Sequence, residues 1–516
     1  MFKLNHIGIR MQHLTLRFQQ KGQSLLWVLG FLATMAVTFA GVYSVGQTTS
    51  EKQKIVNAAD AAAYTGAMVE ARALNLTAYV NRAEIANEVF LAQMISVQSW
   101  VDYMKTSAEN WKTVAQALSW IPGVAIVASA LEAIENVLEI AATGIESALP
   151  IQIGVLENSY RAINLALNGI FGLTGSANMA VATQSAADAV LAANVATQDG
   201  KLDSAPIAIN KVALGLINAA EWKNAFHRYD SGSAGSASDG RRNARDILVF
   251  SRDEFSTERK GPSGLPFSLF FGNEKVGGCP LPEFGVSRDG VTRLKDFDRW
   301  EAQDTTEYYL TSGGKCKKTG IPMGWGRSTA SDQENNGDKK TDIHSWGGEM
   351  AYDDDPKKNT RWTGVKALWD VARDSNDYPV DAFKPGEETL TFTVAVAKLK
   401  ADVRNNEHAS LNFMNTANTT SRLGSADAKA DYMDGQISAK SEAKVFFSRP
   451  ARNSQDFTGT RLFRDDSHKE IASLYNPYWQ VRLKNINTNP FNMSTKDLAK
   501  ITAIYRANLP LAPFSQ

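Results

Sequence analysis

The chain has 516 residues with 55 basic and 55 acidic side chains, so it carries no net charge that would gather nucleic acid by counterion release. About 470 residues follow residue 46, enough to bury large cores in two or three domains. Of six histidines, none forms a His-x-x-x-His pair, no Cys-x-x-Cys is present, and no Gly-x-Ser-x-Gly elbow, phosphate-binding loop or dinucleotide fingerprint occurs. The expectation is a protein without enzymatic activity and without a cofactor.

Residues 1–22 hold Lys3, Arg10, Arg17 and Lys21, and no acidic residue precedes Glu51. Without these four cations the rest of the chain has 51 basic residues against 55 acidic. From Ser24 to Gly46 no charge occurs, and a helix over this run covers roughly 30 Å, the thickness of a bilayer core. Residues 23–46 are therefore predicted to be one transmembrane helix. The apolar run exceeds the core of a secretory signal and continues into helix-forming residues, which favours a retained anchor over a cleaved leader. Cationic flanks stay cytoplasmic, so residues 1–22 form a cytoplasmic tail and the bulk of the chain lies outside. In a Gram-negative cell the anchor is then in the inner membrane and the bulk is periplasmic.

Within the span, Gly30, Thr34, Thr38 and Gly41 share one helix face, and small residues there let a second membrane helix approach. The same residues are also common in membrane spans generally. After the span, Asn57-Ala58-Ala59-Asp60-Ala61-Ala62-Ala63 makes a thin helix of high intrinsic propensity, suited to close packing on a partner helix, with Asp60 either solvated or touching that partner.

With Gly22, Gln23 and Gly41, this box resembles the N-terminal region of TadG-like proteins of Tad (Flp) pilus assembly. The resemblance covers about 45 residues and implies a structural component of pilus assembly. Its expected partners are other pilus-assembly or pilin-like membrane proteins and the lipid bilayer, not nucleic acid. Type IV prepilins are cut after a glycine and usually have a glutamate at the fifth mature position. A cut after Gly22 places Trp27 there, which argues against a major pilin and leaves a minor pilin-like subunit as an alternative. An extracytoplasmic adhesin or ligand-binding module is a further alternative.

Residues 47–228 read as an alanine-rich helical bundle or stalk. A long helix runs to the break at Trp120-Ile121-Pro122-Gly123. In the next helix Glu132, Glu135, Glu139 and Glu146 oppose Leu131, Ile134, Leu138 and Ile145, and further breaks are predicted at Pro150, at 172–176 and near Gly200. Phe226-His227-Arg228-Tyr229 does not read as a buried strand. Residues 229–244 form a Gly/Ser-rich linker or loop.

Residues 245–516 read as a mixed α+β distal domain with long loops. Ile247–Phe250 is a short strand candidate. Trp300, Trp325, Trp346, Trp362 and Trp369 are core aromatics or a binding surface, and Asp353-Asp354-Asp355 is a solvated turn or a calcium ligand set. Cys279 and Cys316 face an oxidising compartment, where a disulfide would stabilise by about 4 kcal/mol; free thiols remain the other possibility. The clearest strand is Thr389–Ala397, with Leu390, Phe392, Val394 and Val396 on one face, and Ala443–Phe447 is its candidate neighbour. Ala443–Pro450 and the aromatic turn Tyr475-Asn476-Pro477-Tyr478-Trp479 also resemble the C-terminal end of proteins of this group, and the turn is expected to pin the C-terminal region onto the sheet.

Overall fold

A computed structural model describes residues 23–121, 124–193, 197–198, 201–202, 206–230, 240–259, 274–278, 283–295, 297–312, 317–331, 357–359, 361–373, 390–399, 436–448 and 472–484. Five helices lie among them. Helix α1 (Gln23–Ala117) runs for 95 residues, about 140 Å at the α-helical rise. No proline interrupts it, and it ends just before the predicted break.

Helix α2 (Val124–Phe171) turns back along α1 and α3 (Leu173–Ala193) follows it. Pro150 lies inside α2, where the sequence pattern predicted a break. The lost hydrogen bond is outweighed by burial of Leu149, Ile153 and Leu156 on either side of it. The predicted break after Phe171 is real. Gly172 donates to the Asn168 carbonyl at 2.9 Å, and a Cβ at Gly172 would sit 2.5 Å from that oxygen. Helix α4 (Lys211–Ala225) and the short α5 (Arg242–Phe250) complete the helices. Helix α5 replaces the strand predicted at Ile247–Phe250. Ala244 and Leu248 stand four apart and are the residues it buries, a helical period that the apolar run alone concealed.

A hairpin pairs β1 (Thr197–Gln198) with β2 (Lys201–Leu202). Strand β3 (Ile207–Ile209) joins β11 (Thr391–Leu399), β12 (Gln436–Phe447) and β13 (Trp479–Lys484) in an antiparallel sheet of order β13-β12-β11-β3. Both strands predicted here form, and they pair with each other, Phe392 opposite Ala443. A second sheet has order β5-β6-β7-β8-β9, built from Glu274–Val276, Glu283–Lys295, Arg299–Ser312, Lys317–Ser331 and Lys357–Asn359; only the β8–β9 pairing is parallel. Finally, β4 (Phe226–Arg228) pairs with β10 (Trp369–Val371), so the segment not read as a strand is a short one with Phe226 buried.

Among the described residues two hydrophobic cores form, and α1 contributes to both. The first joins Ile55, Ala59, Ala63 and Leu74 of α1 to Phe171, Trp222, Phe392, Val394 and Trp479. The second joins Leu91 and Ile95 to Leu149, Ile153, Trp300, Trp362 and Leu368. The architecture is α+β: a bare apolar segment leads into a helical bundle, and the later strands pack on the bundle's longest helix.

Candidate interaction site on the long helix

The first turns of α1 are exposed. Ser24–Tyr43 is long and apolar enough to cross a membrane, and none of it is buried. A Cβ at Gly30 or Gly41 would meet no atom within 4 Å. Thr34 Oγ1 donates to the carbonyls of Gly30 at 3.0 Å and Phe31 at 2.9 Å, and Thr38 Oγ1 donates to Thr34 at 2.8 Å. These hydroxyls are satisfied within the helix, as an apolar surrounding requires, and the face they share is open.

Folded structure begins immediately beyond. Buried Glu51 accepts from Lys398 of β11 at 3.3 Å and from Lys54 at 2.6 Å, while Lys52 donates to the Ser438 carbonyl of β12. The alanine box comes next. Ala58, Ala59, Ala62 and Ala63 are buried, Asp60 is half-buried, and Asn57 and Ala61 are exposed. The buried alanines lie in the first core with Phe392, Val394 and Val396 of β11 and with Met179, Ala187 and Leu191 of α3. Their small side chains admit this chain's own sheet and third helix. Gly66 marks the closest approach, because a Cβ there would fall 2.1 Å from Phe392 Cε1.

Further along, α1 holds the aromatic C-terminal turn. The Asn75 amide and the Trp479 backbone exchange two hydrogen bonds of 3.0 Å. Asn81 Nδ2 donates to Trp369 O at 2.9 Å and Leu474 O at 2.8 Å, and Arg82 Nε donates to Tyr475 O at 2.6 Å. Asp370, buried and raised above the usual carboxylate range by desolvation, accepts the Leu474 N–H at 2.8 Å. The turn is thus fixed to both the sheet, through β13, and the helix. One turn farther lies a buried acidic knot. Trp362 Nε1 donates to Glu88 at 3.0 Å, and Glu157 of α2 accepts from Thr363 N at 2.9 Å and from Lys366. Burial pushes Glu88 up to about 8, against the opposing pull of Lys366, and raises Glu84 as well.

Beyond the apolar contact of Trp300 in the second core, the second sheet meets α1 through polar groups. Arg259 grips Asp304 with two bonds of 2.8 Å, and Ser99 Oγ donates to the same carboxylate at 2.7 Å. Ser96 meets Thr292 at 2.7 Å, Tyr103 meets Thr306 at 2.6 Å, and Asn110 Nδ2 donates to Met323 O at 3.1 Å. Strand β8 lies so close that a Cβ at Gly326 would sit 2.0 Å from the Ser99 carbonyl. These contacts were missed in the sequence. Their signal was available as a polar stripe on α1 at 96, 99, 103 and 107, spaced by three and four.

Of the tryptophans, Trp300, Trp362 and Trp369 are core residues and Trp325 is half-buried. Trp346, Asp353–Asp355, Gly22 and both cysteines, Cys279 and Cys316, lie outside the described residues, as does the side chain of Gln23. Among the described residues no group of three or more His, Cys, Asp or Glu side chains is arranged to hold a metal ion.

The class defined by this geometry is an α+β protein built along one helix whose leading turns are apolar and exposed. That leading segment is TadE/G-like: residues 22–69 match the family model described as "Putative Flp pilus-assembly TadE/G-like". The match ends within the buried stretch of α1 that packs on β11. No curated protein and no solved structure matches the chain.

Proposed function

We propose that this protein is a structural component of Tad/Flp-type pilus assembly, anchored by α1 in the inner membrane with residues 1–22 cytoplasmic and the folded bulk periplasmic, and that it acts through protein contacts rather than catalysis. The observation that carries this reading is the coincidence of the family match with the bare span and the alanine box. A lone apolar helix near the N-terminus also fits a signal sequence. Continuity of α1 supports retention, since the helix passes without a break from residues 23–46 into the stretch on which both sheets pack. The open Gly30/Thr34/Thr38/Gly41 face supports contact with another membrane helix.

The second reading is a minor pilin-like subunit. It draws on the same bareness, because an exposed apolar helix projecting from a folded body can pack among other helices as well as among lipids. Sequencing the N-terminus of the mature protein separates the two. An unprocessed N-terminus supports the anchor, and a new terminus at Gln23 supports the pilin-like subunit.

A further inference from the structure

Residues 361–368 bridge three parts of the fold. Gly364, at φ 88°, makes the turn between two sets of anchoring groups. Ahead of it, Trp362 packs in the second core and its Nε1 donates to Glu88 of α1 at 3.0 Å. Thr363 donates to Glu157 of α2 from its backbone N at 2.9 Å and from its Oγ1 at 3.0 Å. After the turn, Val365 N donates to the Phe297 carbonyl just before β7 at 2.8 Å, Lys366 bonds Glu157, and Leu368 returns to the core. The segment thus ties α1, α2 and the approach to β7 together, and its polar grip on the two helices is on carboxylates.

Those carboxylates are crowded. Glu84, one turn before Glu88 on α1, is 1 % exposed, and among the described residues neither of its oxygens has a hydrogen-bond partner. The cation acting on both acids is Lys366, itself buried and already bonded to Glu157, while Glu157 repels them both. The Tyr160 ring of α2 lies 5.5 Å from the Lys366 ammonium, and Arg228 of β4 donates to Tyr160 Oη at 3.0 Å. The ammonium of Lys366 therefore answers three carboxylates out of water, an arrangement that favours neutral Glu84 and Glu88. Burial holds Glu84 above the usual carboxylate range and pushes Glu88 up to about 8. We propose that residues 361–368 form a proton-controlled latch, closed on α1 and α2 while Glu84 and Glu88 keep their protons and released when these acids ionise. Exposed to water in the open form, both acids return to near 4.5, so the closed latch binds more protons between pH 4.5 and 8. Release grows as the pH rises through that window and levels off above it. The inference goes beyond the anchored reading and draws on none of it.

Native-state hydrogen exchange of the full chain in lipid nanodiscs tests this, after correction for the intrinsic rise of amide exchange with pH. It is read on peptides covering 361–368, whose Thr363 and Val365 amides are hydrogen-bonded, and on peptides from β11 and β12 for comparison. The expected result is that 361–368 opens more often than the two strands, nearly independently of low urea, and at least about tenfold more often at pH 8 than at pH 6. In the double variant Glu84→Gln/Glu88→Gln, whose amides stand in for the protonated acids, opening at pH 8 returns to near the parent's value at pH 6. Opening of 361–368 with the same frequency and urea dependence as the strands is global unfolding and overturns the proposal. So does an opening that is unchanged between pH 6 and 8, or one whose change is undiminished in the double variant. Where the double variant does not fold, Glu84→Gln alone must lower the pH slope, and a slope equal to the parent's overturns the proposal. None of these outcomes bears on whether residues 23–46 span the membrane.

Discussion

At residue scale, the structure concentrates unusual chemistry in buried acids carried by α1 or packed against it. Glu88 holds its proton to about pH 8 because burial outweighs the attraction of Lys366, and Glu84 is shifted in the same direction. The unfolded chain releases these protons near the ordinary value of 4.5. Between pH 4.5 and 8 the folded state therefore binds more protons than the unfolded state, and stability falls as pH rises through that window, then levels off. Thermal melts from pH 5 to 9 are expected to show this decline, on the order of a few kcal/mol for such a shift. Glu88→Gln, which keeps an acceptor for Trp362, should flatten the decline and raise the Tm at pH 9 relative to the parent. The Arg259–Asp304 pair behaves differently, since both partners are buried and paired in two-point geometry. Asp304→Asn leaves a buried guanidinium without its counter-charge, and chemical denaturation should register a loss of about 3–5 kcal/mol.

At the scale of elements, α1 is the reference surface on which both sheets are placed, and its small residues set the distances. Gly66→Leu would drive a side chain into the Phe392 ring, which approaches a Cβ to 2.1 Å. A destabilisation of about 1–3 kcal/mol, measured by urea titration, is expected from overpacking of this kind. Asn81→Ala would strand the carbonyls of Trp369 and Leu474. Hydrogen exchange at residues 472–484 should then accelerate while exchange in α2 is unchanged. The elements most legible in the sequence were those with a hydrophobic period. Val394 and Val396 declared β11, and a proline-free apolar run declared the start of α1. Strands β6, β7 and β8 were invisible for the opposite reason. Gln303, Asp304, Thr305 and Thr306 are all buried, so much of the sheet meets the helix through hydroxyls and a buried ion pair, and a search for alternating apolar residues passes over it. The alanine box was legible as a packing surface but not in its partner, because small residues admit a sheet as readily as a helix.

At the scale of the whole molecule, span and folded body are one continuous object, with Glu51 and Lys52 already bound to β11 and β12 a few residues past the span. Helix α1 runs uninterrupted from the span into both cores. The central claim is that this anchored continuity serves pilus assembly. The most direct measurement is pilus counting by electron microscopy in a producing cell from which the chain has been deleted. The cell is then supplied with either the full chain or a form whose residues 1–46 are replaced by a cleavable export signal. The account predicts few or no pili after deletion, restoration by the full chain, and failure of the exported, unanchored form despite normal folding. Normal piliation after deletion, or full restoration by the unanchored form, would contradict it.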